Sequence, residues 1–378
     1  MKRCIRFGII GCGLMGREFA SATARWCHLT EEICQPEIVG ICDTNAQAKE
    51  WFLKNFDSIR CNVTDYRDLL AQPDIDAVYC AIPHSLHQQV YVDIIKAGKH
   101  LLGEKPFGID KAANDAIMAA VRTHPEVVVR CSSEFPFFPG CQQLIRWIEE
   151  ERFGRIIEVH SSFRHSSDMD LQKPINWKRR VEINGEYGCL GDLGIHTQHV
   201  PLRVGWKPLN VFAKLSKIVN ERPDGHGGMA PCRTWDNALM ISDVENVGGG
   251  TFPLLMETKR MSPGSTDEWA LEVYGLKTSA RFTTNDPNAF YYTDSWDKEQ
   301  AWCRLGIGNK PMLPTITGGI FEFGFTDAIL QMWAAFICEL EGKPVAFGCV
   351  RPEETALSHQ IQTAALLSHK EGRVVTLP

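Results

Sequence analysis

The apolar run CIRFGII (4–10) leads directly into GCGLMG (11–16), and a helical pattern follows from Arg17. Strand, glycine turn and helix in that order leave a chain few options. The first glycine permits a tight turn, the second lets the backbone approach a pyrophosphate, and the third lets helix and strand pack closely. Amides at the start of the helix then face phosphate oxygens. The run therefore predicts a dinucleotide site on Gly11, Gly13 and Gly16, with Cys12, Leu14 and Met15 among the residues that line it.

A second strand, EIVGICD (37–43), ends in Asp43. An acid at this position binds both ribose hydroxyls of an adenosine and repels a 2′-phosphate, so NAD is expected before NADP. The competing reading makes Asp43 a cap for the helix that follows, NAQAKEWFLKNF. A third strand, IDAVYCAIP (75–83), a helix over 85–98 and a fourth strand, HLLGEKP (100–106), continue the alternation. Such alternation implies a parallel, doubly wound sheet with its ligands at the carboxyl ends of the strands. PHSLH (83–87) and GEKPF (103–107) fall there. Pro83, His84, His87, Glu104 and Lys105 join the expected cofactor-binding set, although each histidine reads first as a capping or packing residue. Lys105 is the candidate for proton exchange with a substrate hydroxyl; the alternative is a surface lysine paired with Glu104.

The 378 residues suffice for two domains. A net charge of −6 argues against general nucleic-acid binding. No apolar run reaches the length of a membrane span, and the first residues read as a strand of a cytoplasmic protein. The 14 cysteines never fall in C-x-x-C spacing, so neither a zinc ribbon nor a redox dithiol is signalled.

GCGLMG, AIPHSLH, GEKPF and GDLGIH, in this order and at these separations, resemble the Gfo/Idh/MocA family of sugar and cyclitol dehydrogenases. The likeness extends through TWDNALM and DEWALEVYGLKTSARF to the end of the chain. It implies an α/β chain: an N-terminal Rossmann domain over 1–130, then an α+β domain over 131–378 with a large, mainly antiparallel open sheet. The final helix, about 352–370, is expected to pack back toward the first domain, and the open sheet face to pair with a second copy in a homodimer or homotetramer. Strands are expected at 154–165, 210–219, 237–246, 253–261 and 270–283.

The resemblance makes Lys105 the contact to the hydroxyl being oxidised, His196 the general acid/base, and Asp192 a partner of substrate and lysine. Asp192, His196 and His199 share one helix face at spacings of four and three. Relatives usually carry an aspartate where this chain has His199, which leaves that residue's role open. The three could in principle ligate zinc, but the lysine makes a metal the less economical reading. NWKRR (176–180) precedes the motif, and Lys178, Arg179 and Arg180, with Arg164 and the neighbouring His165, could cradle an anionic sugar. The expected function is NAD-dependent removal of a hydride from a ring carbon of a pyranose, glycoside or cyclitol. Relatives also suggest a redox-neutral glycosidase, for example on a sulfoquinovoside. A non-catalytic NAD-binding sensor or repressor is the non-enzyme alternative.

Overall fold

The computed structural model describes residues 4–293, 300–308 and 310–378. Two compact units emerge: one is 1–137 with 310–355, the other 138–309 with 356–378.

In the first unit six parallel strands run β1 Cys4–Ile10, β2 Gln35–Cys42, β3 Cys61–Val63, β4 Ala77–Cys80, β5 His100–Gly103 and β6 Val129–Cys131. Their order is β3-β2-β1-β4-β5-β6, so the strand order reverses beside β1, where an open parallel sheet forms its ligand crevice. The helices are α1 Leu14–Ala24, α2 Ala46–Asn55, α3 Tyr66–Leu70, α4 His87–Lys96 and α5 Lys111–Thr123. Asn45, not Asp43, caps α2, its side chain accepting from the Gln47 amide at 3.0 Å.

The second unit contains α6 Pro139–Glu149, β7 Ile156–His165, α7 Val181–Asn184, α8 Cys189–Arg203 and β8 Asn210–Ser216, followed by a small hairpin, β9 Glu221–Pro223 and β10 Met229–Pro231. Strands β11 Asn237–Glu245, β12 Thr251–Lys259, β13 Asp267–Gly275, β14 Ser279–Thr283, β15 Ala289–Thr293 and β16 Cys303–Gly306 follow. With β17 Val375–Thr376 they form a nine-stranded sheet, β16-β15-β14-β13-β7-β12-β11-β8-β17, antiparallel except between β7 and β12. Strict alternation of buried and exposed residues along β8 and β11 gives the sheet one covered face, packed by α8. The stretch 270–283, expected as one strand, is a hairpin: the chain turns after Gly275, whose amide donates to Thr278 O.

One further expectation changes. The domain boundary lies at 137/138 rather than 130/131, and the segment 310–355 completes the first unit. Its helix, α9 Phe325–Leu340, is buried continuously from Ala328 to Cys338 and packs Trp333 against Phe19 of α1, the rings tilted by 30° with centroids 3.4 Å apart. A helix apolar on every side must be enclosed, and here the first unit's core encloses it. The stretch 352–370 is helical, as α10 Pro352–Glu371, and from Ala356 onward it is part of the second unit.

Candidate active site

At the switch point of the first unit each glycine of GCGLMG meets a different constraint. Gly11 has φ +98°, and a Cβ there would stand 2.1 Å from Ala81 O. A Cβ on Gly16 would stand 2.2 Å from Gly11 O, so helix and turn touch. Around Gly13 nothing lies within 4 Å of such a Cβ, and no side chain caps α1. The amides at the start of α1 therefore open onto a cradle that suits a pyrophosphate. Leu14 borders it, 68 % exposed, beside the half-buried Met15. Asp43 Oδ2 accepts the Cys12 amide at 2.7 Å and Oδ1 the Asn45 amide at 2.7 Å, which fixes its carboxylate against the loop. The Cys12 thiol is fully buried, and burial pushes its pKa up to about 12, away from any nucleophilic role.

Along the other side of the switch, Pro83 leads into a short turn, His84–Leu86. His87 is fully buried, its Nε2 2.9 Å from Ile82 O and its ring stacked on Tyr91 at 4.6 Å. His87 is thus packed in the interior, and His84, 3 % exposed, is nearly as enclosed. Glu104 is also interior. Its Oε1 accepts from the hydroxyls of Tyr79 (2.8 Å) and Ser132 (2.6 Å), and burial beside that carboxylate drives the Tyr79 pKa well up. Lys105 follows at the end of β5, half-buried, joined to Pro106 by a cis peptide.

In the second unit the motif GCLGDLGIHTQHVP forms α8, which starts at Cys189, three residues before Asp192. Gly188 precedes it at φ +59°, with the Trp235 amide nitrogen 2.5 Å from where a Cβ would be. A Cβ on Gly194 would stand 3.0 Å from Gln362 Nε2 of α10. These two glycines serve close packing of the chain against itself. Pro201 lies inside the helix and cannot donate to the Thr197 carbonyl. Ser161 Oγ of β7 supplies that bond at 2.7 Å, and Trp269 Nε1 of β13 binds the His196 carbonyl at 2.8 Å. The sheet thus anchors the middle of α8 and with it His196, whose ring meets Phe163 edge-on at 5.2 Å.

Asp192 is 2 % exposed and held between two cations. Lys178 Nζ lies 2.9 Å from Oδ2, and Arg260 donates to Oδ2 through Nε (3.3 Å) and Nη2 (3.1 Å). Arg260 also binds the Lys178 carbonyl, Asn184 Oδ1 and the Gly188 carbonyl, tying the start of α8 to the preceding loop. The sequence reading missed Arg260. It stands just past β12 in an ordinary METKRM run, and only the fold brings it to Asp192.

The expected anion cradle does not assemble. Arg179 is fully buried, paired with Asp168 at 2.7 Å and with Asp236. Arg164 is paired with Glu257 and lies 3.7 Å from Glu268. It occupies an even position of β7, so the pleat turns it away from the face that carries Ser161, Phe163 and His165. Arg180 is exposed, and Lys178 serves Asp192. His199 is fully buried, 3.3 Å from Arg203 Nη2, and presents nothing to a substrate. Among the described residues no group of three or more His, Cys, Asp or Glu is placed to hold a metal ion, and no helix is long and apolar enough to cross a membrane.

A family model described as "Oxidoreductase family, NAD-binding Rossmann fold" matches residues 5–131, and a second, "GFO/IDH/MocA C-terminal domain", matches residues 141–281. The chain belongs to the Gfo/Idh/MocA family. As a member it is an oxidoreductase whose first unit binds NAD, and the glycine cradle is where its residues fit that cofactor. Levoglucosan dehydrogenase of Pseudarthrobacter phenanthrenivorans is 24% identical over 292 residues, 74% of this chain and 73% of that one. The uncharacterized oxidoreductase YrbE of Bacillus subtilis is 26% identical over 369 residues, 92% of this chain and 97% of its own. In fold, the family member matches a solved structure of levoglucosan dehydrogenase in complex with NADH and L-sorbose. The TM-score is 0.86 at 21% identity, over 100% of this chain and 99% of the other.

Proposed function

We propose that this protein is an NAD-dependent dehydrogenase that removes a hydride from a hydroxyl-bearing ring carbon of a pyranose, glycoside or cyclitol. The observation that carries the reading is the α8 cluster. A buried carboxylate, Asp192, is fixed by Lys178 and Arg260 one helical turn before His196, on a helix the sheet holds still. The name of the levoglucosan dehydrogenase points the same way.

NAD, when bound, accepts the hydride. What remains for the chain is the hydroxyl proton, and His196 is the group that takes it. Asp192 accepts a hydrogen bond from the substrate, and its two cations keep the carboxylate in place. By the family resemblance Lys105 contacts the hydroxyl oxygen, where its charge would stabilise the developing alkoxide. Asp43 selects NAD: a carboxylate fixed against the loop repels the phosphate of NADP.

With Arg179 and Arg164 held in ion pairs, a neutral sugar is the expected substrate. A panel of pyranoses, methyl glycosides and inositols with NAD or NADP tests the reading by absorbance of the reduced cofactor. Turnover should occur with NAD and be lost in Lys105→Ala and His196→Ala; full turnover in either variant would overturn the assignment. Aryl glycosides separate the variant chemistry, since aglycone release without net NADH would mean glycoside cleavage. The open face of the nine-stranded sheet exposes Phe212, Leu239 and Ile241, with Phe212 and Ile241 paired across strands. We assign that face to a second copy, testable by light scattering of Ile241→Asp.

A further inference from the structure

The odd positions of β7 face α8: Ser161 binds the Thr197 carbonyl and Phe163 touches the His196 ring. His165 is the last residue of the strand and continues that face, its ring centroid 4.5 Å from that of Phe163. One phenylalanine thus lies against two imidazoles. Asp192 and Lys178 are both close enough to act electrostatically on the His165 ring. It is the more accessible of the two histidines, with 23% of its side chain exposed.

The ring is held from one side. His165 Nδ1 lies 3.2 Å from the Thr266 carbonyl and 3.5 Å from Asp267 Oδ1, both acceptors, so the ring proton sits on Nδ1. That leaves Nε2 with a lone pair. The backbone is fixed as well: His165 pairs with Asp267 across the ladder, and its carbonyl accepts the Ser262 amide at 2.8 Å. Burial holds the imidazole below its ordinary titration range, which keeps this neutral tautomer at pH 7. A rigid acceptor beside a fixed carboxylate suits a polyol, whose hydroxyls each have a proton to donate.

We propose that His165 contacts the substrate directly, its Nε2 accepting a hydrogen bond from a hydroxyl other than the one oxidised, and that it thereby selects among epimers. The inference rests on the carbohydrate reading given above and names one residue of its specificity.

The test combines two changes at one contact. Wild type, His165→Ala and His165→Gln are assayed with the best sugar and with its monodeoxy and epimeric analogues. His165→Ala should raise KM for the parent sugar about tenfold with kcat within about threefold, the loss of one neutral hydrogen bond. The KM for NAD should stay unchanged. His165→Gln, which keeps an acceptor at similar reach, should recover most of the loss. For one deoxy sugar the penalty seen in wild type should vanish in His165→Ala, because the contact is already gone. If every analogue loses as much in His165→Ala as in wild type, His165 does not touch the substrate.

A second readout needs no turnover. The ring resonances of ¹³C-labelled histidine, with His165→Gln to assign His165, are followed as each sugar is added to the NADH-loaded protein. A shift at His165 in a protein that oxidises none of the sugars would keep the contact and overturn the dehydrogenase reading. No shift with a sugar that is turned over would overturn the contact alone, and neither shift nor turnover would overturn both.

Discussion

Lys178 and Arg179 are neighbours in sequence, yet they belong to two different ion clusters of the second unit. Lys178 reaches Asp192 with 40% of its side chain exposed, beside Arg260. Arg179, with none exposed, is paired with Asp168 and Asp236. Asp236 also accepts the Val219 amide at 2.9 Å, and Arg222 binds the Asp168 carbonyl at 2.6 Å. The Arg179 cluster therefore cross-links strands and loops around a fully buried arginine and aspartate, with Lys173, 41% exposed and 3.5 Å from Asp168, as its solvent-facing cation. The Asp192 cluster likewise keeps one cation partly in solvent, but it sits a helical turn from a histidine. Each cluster has one partly solvated cation, so the neighbouring histidine on α8, and not exposure, is what distinguishes the second.

The largest expected effect falls on the Arg179 cluster. Arg179→Met leaves Asp236 buried without its cation and Asp168 with Lys173 alone, a change of about 3–5 kcal/mol. In a unit of this size that lowers Tm by about 10 °C. Activity per folded molecule at low temperature should be unchanged. A variant of normal Tm with a raised KM for acidic sugars would instead put Arg179 in the substrate site and dissolve the distinction. Next comes Arg260→Met, which belongs to both descriptions, since the guanidinium is buried and also orients Asp192. Both readouts should move: kcat by about a hundredfold through the misplaced carboxylate, and stability by about 3 kcal/mol. Loss of stability alone would make Arg260 purely structural.

The same pair of residues shows what could be read from the chain beforehand. The strand–glycine–helix start was legible because Gly11 and Gly16 answer local steric demands, and β1 Cys4–Ile10 coincides with the run that predicts it. Lys105, Asp192 and His196 were named through short motifs in a fixed order. The cations were not legible. Three consecutive basic residues look alike in sequence, and the fold sends Lys178 to one carboxylate and Arg179 to two others. Arg164 and His165 were grouped as one signal, but adjacent residues on a strand face opposite ways, and only the odd face of β7 meets α8. Arg260 had no local signature, since its partners lie about seventy or more positions earlier in the chain.

A smaller effect is expected at Lys178. Lys178→Met removes a partly solvated charge whose partner keeps Arg260, so Tm should move by less than about 2 °C. The loss should appear in kcat/KM, by about tenfold, because Asp192 is no longer braced on its open side. Equal activity with a large drop in Tm would reverse the roles of the two clusters.

The smallest effect is expected at the His165–Asp267 pair, beside the Asp192 cluster. Burial lowers the His165 pKa below the ordinary 6.5 and raises that of Asp267 above the ordinary 3.8. As pH falls through 6.5 the unfolded chain takes up a histidine proton that the folded chain resists, so stability drops down to the folded value of His165. The folded chain also protonates Asp267 before the unfolded chain does, and stability is regained between that raised value and 3.8. In His165→Gln the first of these two changes should disappear while the second persists. Thermal unfolding of both proteins from pH 8 to pH 4 reads the difference directly. Identical curves between pH 7 and 5 would show that His165 is as solvated as a surface histidine, outside the enclosure that Phe163, Asp267 and the Asp192 cluster make around it.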